Sequence, residues 1–231
     1  MRINKFIAAS SKYSRRKADE LILEGRVKVN NKTTKTLGID IDPQVDKVKI
    51  NNKELKGNIE YVYFLLNKPA GFVCTRSDEL GRKTIMDLLP PIKNLKPAGR
   101  LDKDTEGLII LSNDGNFINR ITHPKFECQK KYYAKITSEL TNKNKKSLEK
   151  GVKIERRITS PSKIKILKSS PKETELHITI HEGRKRQIRK MFALIGHTVK
   201  YLQRIKIGNL SDNCLKKGKF RPLSPKEIYD F

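Results

Sequence analysis

Tryptophan is absent from this 231-residue chain, cysteine and methionine occur three times each, and acids number 25 against 51 lysines and arginines. Each scarcity closes off a class of protein. Cys74, Cys128 and Cys214 are odd in number and far apart, which excludes a disulfide framework and fits a reducing compartment. His123, His177, His181 and His197 are scattered too, with no CxxC or HExxH spacing, so no metal is expected. The apolar stretches at 61–66 and 108–111 are far shorter than the roughly 20 residues of a bilayer-spanning helix. Membrane insertion is therefore excluded. Arg2 and Lys5 open the chain, but neither an apolar h-region nor a small-residue cleavage site follows, so the protein is expected to stay where it is made.

Positive charge is what the sequence has in excess. A net +26 on a 26.6 kDa chain imposes self-repulsion on any compact state, so a large polyanion is the expected partner, with nucleic acid or an anionic membrane surface as candidates. Residues 1–39 alone carry ten Lys/Arg and three Asp/Glu, a net of +7. That density on so small a surface favours phosphate contact over a merely solvated face.

Periodicity divides the chain in two. Ile3, Phe6 and Ile7 fall at helical spacing, Ser14 offers an N-cap for a second helix through Ala18, Leu21 and Ile22, and Gly25 supplies its stop. Val27 and Val29 alternate with cations ahead of an Asn30-Asn31 turn, which predicts a small strand pair; Val45, Val48 and Ile50 are the next strand-like positions. Gly57-Asn58 then punctuates, and the domain boundary is placed near residue 58. Beyond it, a buried strand at 61–66 enters the turn Lys68-Pro69-Ala70-Gly71. Strand patterns at 108–111, 132–136, 164–167 and 176–180 outnumber helical ones at 116–122 and 143–150, without regular strand–helix alternation, so the fold class is α+β with a mixed or largely antiparallel sheet. An amphipathic helix is predicted to open at Gly183, with Ile188, Met191, Phe192 and Ile195 on its apolar stripe and Gly196 at its end. Arg184, Lys185, Arg186, Arg189 and Lys190 lie just before and around its first turn, an end where the helix dipole disfavours cations unless carboxylates or phosphates face them.

The loop Gly99-Arg100-Leu101-Asp102-Lys103-Asp104-Thr105-Glu106-Gly107 interleaves carboxylates with cations and feeds an apolar strand, a platform suited to aiming a side chain. From spacing alone Asp102, Asp104 and Glu106 are all candidates, beside the reading that they only hydrogen-bond the loop. Tyr132 shares a strand face with Ala134 and Ile136 and is predicted to point inward, as core or as a platform for a nucleobase.

Together with Asn67-Lys68-Pro69-Ala70-Gly71, Lys130-Lys131-Tyr132 and Glu182-Gly183-Arg184-Lys185-Arg186-Gln187-Ile188-Arg189-Lys190-Met191, this loop resembles the pseudouridine synthases of the small-subunit and large-subunit ribosomal RNA type. Ser14-Arg15-Arg16 and the run from Glu24 to Asn30 are similar to the S4-like RNA-binding domain that family carries. The likeness covers nearly the whole chain, in the family's order. It implies an S4-like domain over 1–58 and a catalytic domain over 59–231, built on a mixed, mainly antiparallel sheet with flanking helices. It also implies that Asp102 is the essential carboxylate, that Tyr132 stacks on the target uracil, and that Arg189 pairs with Asp102; Asp104 and Glu106 then revert to structural roles. Arg2, Lys5, Ser14, Arg15, Arg16, Arg26, Lys68, Arg100, Arg184, Lys185, Arg186 and Arg204 are the expected RNA contacts. The reaction needs no cofactor or metal. The implied partner is ribosomal RNA and the implied state a monomer, in a bacterial cytoplasm or an organelle of bacterial descent.

The base must leave its helix, be detached from N1 and rejoined through C5, with the carboxylate as nucleophile or as the base that takes the C2′ proton. Two competing readings use the same charge: a non-catalytic RNA-binding or ribosome-assembly factor, and a helix-turn-helix DNA reader, which an inward stacking tyrosine fits less well. Binding is expected to weaken steeply with salt, and structured RNA to outcompete duplex DNA of equal length; competition titrations at several ionic strengths check both.

Overall fold

The computed structural model describes residues 1–55 and 60–231, so the boundary placed near residue 58 lies outside the described residues. Contacts divide the chain into two compact units, Met1–Tyr61 and Val62–Phe231.

In the first unit, α1 (Ile3–Ser10) and α2 (Arg15–Leu23) bury Ile3, Phe6, Ile7, Ala18, Leu21 and Ile22, the residues that helical spacing places on shared faces. Ser14 caps α2 by accepting the Lys17 N–H at 3.2 Å. Strands β1 (Val27–Val29), β2 (Lys32–Thr34), β3 (Val48–Ile50) and β4 (Lys53–Glu54) form one antiparallel sheet in the order β2-β1-β3-β4. Its hairpins close on Asn30-Asn31 and Asn51-Asn52, all four with φ between 49° and 67°. Asparagine tolerates this left-handed backbone, and paired residues of that kind match the twist of the flanking strands. Val45, read as a strand position, instead lies in a turn and is 72% exposed, its N–H bonded to Asp42 O.

The second unit runs through β5 (Tyr63–Lys68), β6 (Lys96–Pro97), β7 (Glu106–Ser112), α3 (Gly115–Thr122), β8 (Lys130–Thr137), α4 (Asn142–Lys150), β9 (Lys153–Ile154) and β10 (Arg157–Ile158). It continues with β11 (Lys163–Ser169), β12 (Glu173–Ile180), α5 (Gln187–Ala193), β13 (Val199–Ile207), β14 (Phe220–Pro222) and α6 (Pro225–Tyr229). The large sheet has the order β11-β12-β8-β13-β7-β5-β14, with β6 beside β7, and every pairing is antiparallel except β13 with β7. The class is α+β, as the strand-rich pattern predicts. Apolar runs on β5 and β7 are continuous because both faces are covered: Leu66, Ile109 and Leu111 join the core under α5, whereas Leu65, Leu108 and Ile110 join the one under α3.

The helix predicted from Gly183 begins four residues later. Glu182 accepts from Gln187 Nε2 at 2.6 Å and Gln187 Oε1 accepts from Arg184 N at 3.0 Å, which folds 183–186 into a loop, with Arg186 left-handed at φ 53°. Arg184, Lys185 and Arg186 thus precede α5, and Arg189 and Lys190 lie within it.

The single parallel pairing depends on Gly107. Its φ is +104°, and a Cβ there would lie 2.2 Å from the Arg204 carbonyl oxygen and 2.6 Å from the Arg204 nitrogen. Gly107→Ala is expected to cost roughly 3 kcal/mol or more, a fall of about 6–12 °C in Tm by calorimetry.

Candidate active site

The carboxylate loop between β6 and β7 is pinned from below. Lys68, at the end of β5 and with no exposed surface, points its ammonium at three carbonyls: Thr105 O at 2.8 Å, Pro69 O at 2.9 Å and Lys103 O at 3.3 Å. Gly71 N–H adds a bond to Lys103 O at 2.8 Å, and Thr105 N–H closes a turn on Asp102 O at 3.1 Å. Burial holds the Lys68 ammonium below its ordinary pKa. Expected as an RNA contact, Lys68 instead has no exposed surface, and its three donors are spent on backbone carbonyls. Leu101, buried beside it, donates its N–H to Cys74 Sγ at 3.3 Å. Asp102 rides half-buried on this frame, and among the described residues no Lys or Arg nitrogen lies within 4.0 Å of its carboxylate.

Tyr132 projects from β8 on the same face as Ala134 and Ile136 and is 8% exposed. Opposite it in register on β13 sits Arg204, 3% exposed, whose Nε donates to Leu108 O at 2.6 Å and whose Nη1 reaches the Tyr132 hydroxyl at 3.5 Å. Arg204, an expected RNA contact, is instead almost fully buried beside Tyr132, where it forms part of the cleft wall. The cleft in front holds about 970 Å³ and is lined by Asp102, Tyr132, Arg204, Lys130, Arg100 and Lys185, with the 73–82 segment as its far wall. A cavity of about 80 Å³ adjoins it, bordered by Asp102, Tyr132, Arg189, Ile188 and Leu202.

Arg189 does not pair with Asp102. Its guanidinium meets Asp104 at 3.1 Å and donates to Val199 O at 2.8 Å, and Arg186 approaches Asp104 at 3.2 Å. Partial burial raises the Asp104 pKa, but Arg189, its own backbone N–H and Arg186 outweigh that and leave the carboxyl below its ordinary value. Arg184 is committed as well, to Glu182 at 3.1 Å and to the carbonyls of Arg157 and Ile158, so it clamps β10 instead of offering a free phosphate donor. Lys190 pairs with Glu155. The basic cluster ahead of and within α5 is thus largely acid-paired, and Arg100, Lys103 and Lys185 are exposed cations on the cleft wall with no ion pair among the described residues. Glu106 is structural, bonded to the Tyr201 hydroxyl and to Lys217 at 2.6 Å. Sequence reasoning missed the wall at 73–82, where Arg82 and Asp78 pair at 2.6 Å, and gave Lys130 no role, although its place in Lys-Lys-Tyr was a signal. Lys130 bonds Cys128 O at 2.8 Å from a buried position that lowers its pKa.

In the N-terminal unit, Arg2 pairs with Asp40 at 3.5 Å, and Arg26 pairs with Glu24 and bonds Asn51, each at 2.9 Å. Ser14 spends its hydroxyl on the α2 cap, and Lys5 is half-buried on α1. Arg15 and Arg16 are exposed on the first turn of α2, with no ion pair among the described residues. Nor does any group of three or more His, Cys, Asp or Glu among the described residues form a potential metal cluster, and no described helix is long and apolar enough to cross a membrane.

Comparison with known proteins converges on one family. The RNA pseudouridylate synthase model matches residues 62–194 and the S4 domain model residues 1–46. An RNA pseudouridine synthase of Aquifex aeolicus is 42% identical over 99% of this chain and 92% of its own. Ribosomal large subunit pseudouridine synthase B of Bacillus subtilis is 41% identical over 98% and 93%, and ribosomal small subunit pseudouridine synthase A of Haemophilus influenzae 36% identical over 99% and 98%. A crystal structure of a pseudouridylate synthase superposes with a TM-score of 0.72 at 34% identity, covering 100% of this chain and 99% of that one.

The structural place of Lys68 separates it from a phosphate ligand in solution. Lys68→Met is expected to cost roughly 3 kcal/mol or more in a denaturant titration while leaving the salt slope of RNA binding unchanged, whereas Arg100→Ala lowers that slope by about one.

Proposed function

The chain belongs to the RNA pseudouridylate synthase family, and from that premise we propose that it converts uridine to pseudouridine in ribosomal RNA, with Asp102 as the essential carboxylate. The observation that carries this reading is that Asp102 and Tyr132 open onto one cleft, each supported by a buried cation, Lys68 under the loop and Arg204 at the Tyr132 hydroxyl. Ribosomal RNA follows from the names of the Bacillus subtilis and Haemophilus influenzae relatives, which span nearly the whole chain. The bacterial origin of those relatives supports a bacterial cytoplasm as the setting, and we take the acting species to be a monomer.

In this reading the S4 domain, through Arg15 and Arg16, grips phosphates, while the target nucleotide leaves its helix and its uracil lies against the Tyr132 ring. The N1–C1′ bond breaks with its electron pair on the uracil. Asp102 meets the electron-poor sugar, either by adding to C1′ through an ester bond that breaks as C5 attacks, or by taking the C2′ proton and returning it as C5 joins C1′; the base turns in between, the C5 hydrogen then passes to water as a proton and N1 gains one. Asp102 is suited to the task because, among the described residues, no Lys or Arg nitrogen lies within 4.0 Å of its carboxylate. Arg189, tied to Asp104 and to Val199 O, contributes the wall of the small cavity beside it.

Asp102→Asn is expected to abolish tritium release from RNA carrying 5-³H-uridine, with RNA affinity changed less than about threefold because phosphate contacts are untouched. Release at the normal rate from that variant, or none from the unaltered chain, sinks the reading; the second result is what a non-catalytic RNA-binding factor gives.

A further inference from the structure

Two cations lie almost fully enclosed beside the cleft, and their surroundings differ. Lys68 places its ammonium against three carbonyls, as many as it has N–H groups. Arg204 has five N–H donors, of which Nε finds Leu108 O and Nη1 only grazes the Tyr132 hydroxyl; Nη2 is buried with no partner. Among the described residues no carboxylate oxygen lies within 4.0 Å of this guanidinium, whereas Arg184 pairs with Glu182 and Arg186 and Arg189 pair with Asp104. Burying a charge without a counter-charge or a full set of hydrogen bonds is costly, and a protein that keeps one in a cleft wall is expected to use it. The position is also over-determined: β13 can bring Arg204 there only because Gly107 lets the two backbones touch.

We propose that Arg204 is a positioning residue for the isomerisation, holding the Tyr132 phenol through its hydroxyl and keeping a positive charge beside the ring, in the wall of the cleft that receives the detached uracil. The inference rests on the pseudouridine synthase reading. Between rupture of N1–C1′ and formation of C5–C1′ the base carries the electron pair of the broken bond, spread over its ring nitrogens and carbonyl oxygens. A guanidinium 6.0 Å from the Tyr132 ring centroid, unclaimed by any carboxylate, favours that electron-rich species over the neutral bound nucleotide. Because strand pairing fixes it beforehand, no reorganisation is needed as the charge develops.

Single-turnover tritium release from a ribosomal RNA transcript, measured with the full chain, tests this. Arg204→Gln is expected to slow release about 10- to 100-fold with RNA affinity changed less than about threefold, and Arg204→Lys to recover the greater part of the rate. Tyr132→Phe removes only the oxygen that Arg204 reaches; it is expected to slow release too, and the Arg204 and Tyr132 losses to combine less than additively in free energy. Equal rates in Arg204→Gln and Arg204→Lys, an unchanged rate in Arg204→Gln, or full additivity with Tyr132→Phe overturns the assignment. Should Arg204→Gln fail to fold, the Arg204→Lys and Tyr132→Phe cycle decides by the same criterion. No release from the unaltered chain overturns instead the isomerase reading beneath it.

Discussion

A lysine ammonium sealed beneath a loop is the constraint on which the rest of this site depends. The Lys68 side chain gives up hydration in exchange for three carbonyls, and two of those, at 103 and 105, flank Asp104 just past Asp102. Loop backbone so close to a core has to find partners for its polar groups or remain in water. Here one charged group satisfies several at once, and bonds to a charged donor are stronger than neutral ones. The carboxylate therefore stands on rigid backbone without being touched by the cation that makes it rigid. That separation leaves the Asp102 carboxylate without a Lys or Arg partner among the described residues, as the role proposed for it requires.

A second constraint works from the other side of the cleft. Tyr132 and Arg204 face each other across β8 and β13, and β13 reaches β7 by the one parallel pairing of the sheet. Carboxylate loop, aromatic wall and buried guanidinium thus belong to three adjacent strands, so their spacing is set by strand geometry and not by mobile loops. The acid-paired arginines around Asp104 add a further boundary: they close the small cavity beside Asp102 while leaving Arg100 and Lys185 exposed along the wide cleft.

Much of this was legible in the residues, for identifiable reasons. The N-terminal helices, the Asn30-Asn31 turn and the inward side of Tyr132 follow from period and turn chemistry, which are local. That Lys68 and Arg204 are structural hydrogen-bond donors and not RNA contacts is not decidable from the residues, because what makes their burial tolerable, carbonyls at 103, 105 and 108, comes from another segment of chain. β13 escaped notice since Arg204 occupies an inward position and register shifts at 199/201 and 204/206 break the alternation of apolar residues. The start of α5 was misplaced because the mutual bonding of Glu182, Arg184 and Gln187 replaces the first turn that apolar spacing suggests. Arg189, assigned to Asp102 by family likeness, meets Asp104, two residues along the same loop.

The parallel contact of Gly107 with Arg204 joins strands separated by most of the catalytic unit's length. Pairings that distant close slowly, since a long loop must be ordered before they contribute. On a ribosome that makes the chain from its N-terminus, the helices and hairpins of the first unit can form early, whereas the aromatic wall has no backing until the final thirty residues begin to emerge. Synthesis therefore passes through a stage that carries a finished basic module and an unfinished cleft, and the capacity to grip a polyanion is acquired well before the capacity to alter it.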